Sequence, residues 1–299
     1  MRDNLCIGVV NFGAAWGDVA ENLKRIREFC GQAQKQGAQM VVFPEVALTG
    51  YSIFEQGAMQ KAAAQTIPGE ASRALCDIAR ELRLYLAVGM PEKETGTGAV
   101  YNSVIAVSPE GVDAVYRKIH PFGNESLWCK KGQAPVIWQT PWGGIGLGIC
   151  YDTYQFPELL RYYAAQGCRL YLNCTAQAGQ MDTPQGRERM RQYYLSTLEA
   201  ASLGSEIFLA SSNLAGEERG TQFGGASLVL GPIPREEGLG EDPYCKIYAG
   251  GLGNQEIGVV VADIDLSLAV RTIYKNNALT GEPDYRPSLY RAWQEGKQN

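Results

Sequence analysis

Short apolar runs alternate with amphipathic helical stretches along most of this chain, and that alternation limits its fold more than any single residue does. Residues 5–10 (LCIGVV) form an apolar run suited to a buried strand. From Asp18 onward, Val19, Leu23, Ile26, Phe29 and Ala33 recur at steps of four and three, which predicts one face of a helix ended by Gly37. Gln39–Phe43 reads as a second strand, and 70–82 as a helix carrying Ala71, Leu75, Ile78, Ala79 and Leu82 on one side. Strands follow at 84–89, 101–107 and 112–118, the last two joined by the turn residues Ser108-Pro109-Glu110-Gly111. The second half repeats the style, with strands at 144–150, 168–174, 206–211, 226–230 and 257–264 and helices at 156–167 and 187–203. Strand–helix alternation of this kind predicts an α/β layered domain with helices covering the sheets.

Composition excludes several function classes. The 299 residues carry a net charge of −5 without a dense Lys/Arg stretch, which argues against a nucleic-acid surface. No apolar stretch approaches the ~18 residues of a membrane helix, and the start MRDNLCIGVVNF lacks the basic, long apolar and cleavage segments of a secretory signal. The expected location is the cytoplasm, and neither nucleic acid nor membrane is an expected partner. The eight cysteines then read as reduced thiols. No C-x-x-C pair occurs and His120 is the single histidine, so no metal site and no cofactor is expected. After Asp265 the periodic signal fades, which divides the chain into a domain over 1–265 and a C-terminal extension over 266–299. The extension, with Asn276-Asn277, Gly281, Pro283 and Pro287, reads as extended chain that packs on another surface, such as a partner subunit.

Three segments carry chemistry. In VVFPEVALTGY (41–51), Pro44 ends a buried strand and places Glu45 at its C-terminal edge, where α/β sheets bind ligands. A carboxylate among apolar neighbours there suits a general base, although an acid after a strand is also commonplace. In VYRKIHPFGNES (115–126), Lys118 ends an apolar strand and could donate to a developing oxyanion; the plain alternative is a surface lysine near a turn. His120, two residues on in an extended segment, would point the same way and is the only candidate for a Cys–His pair. In GGIGLGICYDTYQFPE (143–158), a glycine-rich strand meets a sharp turn at Cys150 before a helix from about Phe156. Such an elbow exposes a sulfur and aims backbone N–H groups at it, though a buried core cysteine would also fit that segment alone.

Taken in order, the three segments resemble the nitrilase or carbon–nitrogen hydrolase superfamily. The likeness runs from about residue 5 to 265 and includes LTGY after Glu45, FG-N-E after Lys118, FPE after Cys150, NCTA (173–176) and SSNLAG…FGGASLVLGP (211–232). The resemblance implies a four-layer α-β-β-α sandwich, commonly paired into a homodimer or larger homo-oligomer. It implies a catalytic triad of Glu45, Lys118 and Cys150, a second carboxylate at Glu125 that positions substrate or water, and an oxyanion donor in the Tyr151 N–H. The implied reaction cleaves a non-peptide C–N bond of a small linear amide through a cysteine thioester, releasing ammonia or an amine. Nitrile hydrolysis, N-carbamoyl hydrolysis and amide or acyl transfer use the same triad. Cys150-Tyr151-Asp152 resembles the amidase pattern rather than C-W-E, and no arginine stands between Cys150 and Arg161, which suggests a neutral or partly aromatic pocket. Tyr51, Trp128, Tyr154 and Thr175 are the candidate substrate contacts. The competing readings are a Cys–His thiol hydrolase using His120 and a binding module on a disabled fold.

Overall fold

The computed structural model describes residues 1–178, 183–234 and 245–296. Its strands are β1 (Asn4–Asn11), β2 (Met40–Val42), β3 (Tyr85–Lys93), β4 (Val100–Ser108), β5 (Gly111–Arg117), β6 (Ile137–Thr140) and β7 (Gly143–Ile149). They continue with β8 (Leu170–Thr175), β9 (Phe208–Asn213), β10 (Ala215–Glu218), β11 (Thr221–Gly224), β12 (Leu228–Pro232), β13 (Cys245–Gly250) and β14 (Gly258–Asp265). The helices are α1 (Val19–Lys35), α2 (Ala58–Ala63), α3 (Glu70–Leu82), α4 (Tyr151–Gln155), α5 (Pro157–Ala165), α6 (Pro184–Ser205) and α7 (Pro287–Gln294).

Two sheets share one plan. The first runs β14-β1-β2-β3-β4-β5 and the second β13-β12-β9-β8-β7-β6. In each, three central strands are parallel, β1-β2-β3 in one and β7-β8-β9 in the other, and antiparallel strands flank them. Period-two alternation sends Leu5, Ile7, Val9, Met40, Val42 and Ala87 inward, against Leu147, Ile149, Leu170 and Leu172 of the other sheet. The opposite faces, with Val10, Val41, Leu86 and Val88, take Ile26, Cys30 and Ala33 of α1 and Leu75 and Ile78 of α3. α5 and α6 cover the second sheet, Leu160, Tyr163 and Leu198 being buried on it. The layers are therefore helix, sheet, sheet, helix, as expected. Each fully buried Ile or Leu in these layers contributes about 1.5–3 kcal/mol.

Local signals explain most boundaries. Asp18 caps α1 by accepting from the Glu21 N–H at 3.0 Å, and Gly37 turns the chain at φ +91°. The helix expected over 156–167 is α5, and a further short helix that the sequence does not announce precedes it. α4 starts at Tyr151, directly after Cys150, and α5 starts at Pro157. A proline cannot continue a preceding helix without losing a backbone donor and crowding the residue before it, so Phe156 is held outside both. The tail is not uniformly extended: α7 closes it, and the rings of Tyr274, Tyr285, Tyr290 and Trp293 meet one after another in tilted and edge-on contacts along it. The strands β6, β10, β11 and β13 and the helix α2 carry no periodic signal strong enough to read from the sequence.

Candidate active site

Glu45 follows β2 through Phe43 and Pro44, and its backbone lies against Gly89 of β3. A Cβ on Gly89 would sit 2.2 Å from the Pro44 carbonyl oxygen and 2.6 Å from Glu45 Cα, so only glycine lets the two segments approach this closely. The Glu45 carboxylate is 1% exposed. Its Oε1 accepts from Lys118 Nζ at 2.6 Å and Asn102 Nδ2 at 2.7 Å, and its Oε2 accepts from the Ala176 N–H at 3.0 Å.

Lys118 comes immediately after β5 and is wholly buried. Its ammonium bridges Glu45 and a carboxylate oxygen of Glu125 at 2.8 Å. Burial alone would lower the proton affinity of Lys118, but the carboxylates of Glu125 and Glu45 hold it well above the ordinary lysine value. Glu125, on a 3₁₀ turn over Gly123–Leu127, also accepts from the Tyr51 hydroxyl at 2.9 Å and the Phe122 N–H at 3.1 Å. Burial pushes the Glu125 carboxyl up to about 7, against the pull of Lys118.

Cys150 sits between β7 and α4 with φ +48° and ψ −102°, a conformation non-glycine residues rarely adopt. Strain of this kind costs about 1–3 kcal/mol and persists only where the surroundings enforce it. Here the Cys150 N–H is held by the Cys174 carbonyl at 3.1 Å and by Asn173 Oδ1 at 3.0 Å. Burial, and after it the Glu45 charge, raise the thiol's proton affinity well above the ordinary cysteine value, while Lys118 and the nearby Thr175 hydroxyl lower it. Tyr151 is the first residue of α4, so its N–H has no carbonyl four residues back in that helix.

The other residues named from the sequence divide. Tyr51 and Trp128 line a cavity of about 160 Å³ together with Gln60, Phe122, Asn124 and Glu125. Tyr154 and Thr175 bond each other, hydroxyl to hydroxyl, at 2.8 Å. His120 does not share the direction of Lys118, because the strand ends at Arg117 and the chain bends. Its ring stacks on Phe156 at 3.5 Å and 8°, and its Nδ1 lies 2.8 Å from Asp152 Oδ1. Asp152 is fully buried and also accepts from the Tyr116 hydroxyl at 2.7 Å and the His120 N–H at 2.9 Å, so it ties the elbow to the lysine segment. Asn102, Asn173 and the Ala176 N–H escaped sequence reasoning as site groups. Of these, only NCTA (173–176) carried a signal, as a segment rather than as individual roles. Among the described residues, no cluster of three or more His, Cys, Asp or Glu side chains could hold a metal ion.

The signature of the carbon-nitrogen hydrolase family matches residues 6–274. A nitrilase of Pyrococcus abyssi is 30% identical over 250 residues, covering 83% of this chain and 85% of that one. An omega-amidase of Bos taurus is 33% identical over 261 residues, covering 83% and 84%. Among solved structures, an amidase from Nesterenkonia sp. matches with a TM-score of 0.74 at 26% identity, covering 98% of this chain and 97% of that one. A mutant of the Nesterenkonia sp. AN1 amidase, solved with acrylamide added to its active-site cysteine, matches with the same TM-score and identity over 97% and 99%. The chain belongs to the carbon-nitrogen hydrolase family.

Proposed function

We propose that this enzyme hydrolyses the C–N bond of a small linear amide, with Cys150 as the nucleophile. The observation that carries the proposal is the buried Glu45–Lys118–Glu125 cluster, whose charges act on the protonated thiol of Cys150 at a strained elbow. In the first half-reaction Glu45 takes the thiol proton while sulfur bonds to the carbonyl carbon. The oxyanion that forms is met by the Lys118 ammonium and the Tyr151 N–H, and a donor so placed contributes about 3 kcal/mol. Glu45 returns the proton to the leaving nitrogen, the C–N bond breaks and ammonia or an amine departs. In the second half, water loses a proton to Glu45 and attacks the thioester, releasing the acid and restoring the thiol. Glu125, held by Lys118, Tyr51 and the Phe122 N–H, lines the cavity beside Tyr51 and Trp128 and orients the amide or the water.

The solved Nesterenkonia amidases and the omega-amidase relatives support amide over nitrile, as does the Cys150-Tyr151-Asp152 sequence. Eight free cysteines fit a cytoplasmic setting, and a homodimer or larger assembly is proposed from the family resemblance. Ammonia release from a panel of linear amides, with Cys150→Ala as control, tests the reading. Turnover of some amides is expected in the parent and none in the variant; normal turnover by the variant would overturn the proposal.

A further inference from the structure

We propose that Tyr154 is a positioning residue that, through Thr175, directs a hydroxyl proton at the sulfur of Cys150. The inference rests on Cys150 being the nucleophile and adds residues that the catalytic triad does not include. Tyr154 lies on α4, between Asp152 and Phe156.

The polarity of the network can be read from one fixed donor. A backbone N–H can only donate, and that of Cys150 points at the Asn173 side chain at 3.0 Å, so the Asn173 oxygen must face it. The Thr153 hydroxyl donates to the same oxygen at 2.8 Å. The Asn173 amide nitrogen is thereby turned the other way. It donates to Ser211 Oγ at 2.9 Å and to the Tyr154 hydroxyl oxygen at 3.3 Å. With its oxygen accepting from Asn173, the Tyr154 hydroxyl can send its proton to Thr175 Oγ1, 2.8 Å away. Thr175, its own oxygen so occupied, has its proton free for sulfur. The backbone brings the two together: the Cys150 N–H donates at 3.1 Å to the carbonyl of Cys174, the residue directly before Thr175. Thr175 is fully buried, which leaves its hydroxyl no water to choose instead.

The result is a one-way chain of donors, from the Asn173 amide through Tyr154 and Thr175 to Cys150. It favours the thiolate over the thiol, because a hydrogen bond to the charged form stabilises that form. The other ionisable groups acting on the sulfur are Glu45 and Glu125, which oppose the thiolate, and Lys118, which supports it. The Tyr51 and Tyr194 hydroxyls face it from β2's loop and α6, bonded to Glu125 and to Ser211 respectively.

The test is the rate at which iodoacetamide alkylates Cys150 between pH 6 and 9, followed by peptide mass mapping. Tyr154→Phe keeps the ring and removes only the hydroxyl. It is expected to slow alkylation at neutral pH about fivefold, the worth of one hydrogen bond, and to displace the profile to higher pH. Thr175→Val should do the same, and Thr175→Ser, which keeps the hydroxyl, should stay within about twofold of the parent. Because Tyr154 acts through Thr175, the double variant should be no slower than Thr175→Val alone. A Tyr154→Phe profile that superimposes on the parent, or losses that multiply to about 25-fold in the double variant, would overturn the inference while leaving Cys150 as nucleophile intact. Equal loss in Thr175→Ser and Thr175→Val would overturn it by a route independent of Tyr154. If the parent's Cys150 is not labelled in preference to the other seven thiols, the proposed function falls, and this inference with it.

Discussion

Replacing Lys118 by methionine should destabilise the protein in a way that depends on pH. Lys118 Nζ lies 2.6 Å from Glu45 and 2.8 Å from Glu125, so the two accepting oxygens are no more than about 5.4 Å apart. Without the ammonium, two buried carboxylates face each other at that distance. At an effective dielectric constant of about 20, their repulsion is at least about 3 kcal/mol. Removing one partner of a buried ionic group generally costs about 3–5 kcal/mol, and the variant is expected in that range above neutral pH. Burial already raises the Glu125 carboxyl to about 7 while Lys118 is present. Loss of the cation raises it further, and the pair then shares one proton. A carboxyl whose affinity is raised in the folded state binds protons more readily there than in the unfolded chain. Its favourable contribution is therefore full at low pH and is lost as pH climbs from the ordinary carboxylate value through the folded one. The stability gap between parent and Lys118→Met should accordingly be larger at pH 8 than at pH 5.5. Urea unfolding monitored by tryptophan fluorescence at both pH values measures it. Adding Glu125→Gln to the variant removes one of the two charges and should recover at least half of the loss at pH 8. A gap independent of pH, together with no recovery in the double variant, would refute the electrostatic account.

Other expectations follow from the same contacts. Glu45→Gln keeps the shape but not the base, and steady-state ammonia release should fall at least about a hundredfold. His120→Asn should retain turnover within about fivefold, since the ring faces Asp152 and Phe156 rather than Cys150; loss comparable to Cys150→Ala would favour a Cys–His enzyme. Gly89→Ala drives a methyl into the Pro44 carbonyl; it should lower thermal stability by about 1–3 kcal/mol and reduce kcat through displacement of Glu45.

What could be read before the structure follows the range of the interactions. The helix over Glu70–Leu82 was legible to the residue because its apolar face repeats for three turns and Gly69 precedes it. Glu45, Lys118 and Cys150 each follow a strand, which places them at a sheet edge but leaves a plain structural role open for every one; what singles them out in the sequence is the resemblance of the three segments, taken in order, to the family. Asn102 was not, since inside β4 it looks like any polar residue of a strand and acquires its role only from Glu45, 57 positions away. Asn173 and Asp152 likewise gain their roles by bonding backbone groups brought in by other elements. The four-residue strands β6, β10 and β11 are too short for alternation to register. His120 shows the opposite case: two-residue alternation holds only as far as the strand, which ends at Arg117, so it does not carry to His120.

The division of the proposed catalytic groups between the two sheets has a practical consequence. Glu45 and Lys118 stand on one sheet, Cys150, Thr175 and Ala176 on the other, and the Ala176 N–H to Glu45 bond crosses between them. On the proposed function, neither sheet owns a working centre, and catalysis is a property of the seam. Turnover thus gauges how tightly the two sheets are docked, and a perturbation that slips them by an ångström silences the enzyme while every strand stays intact.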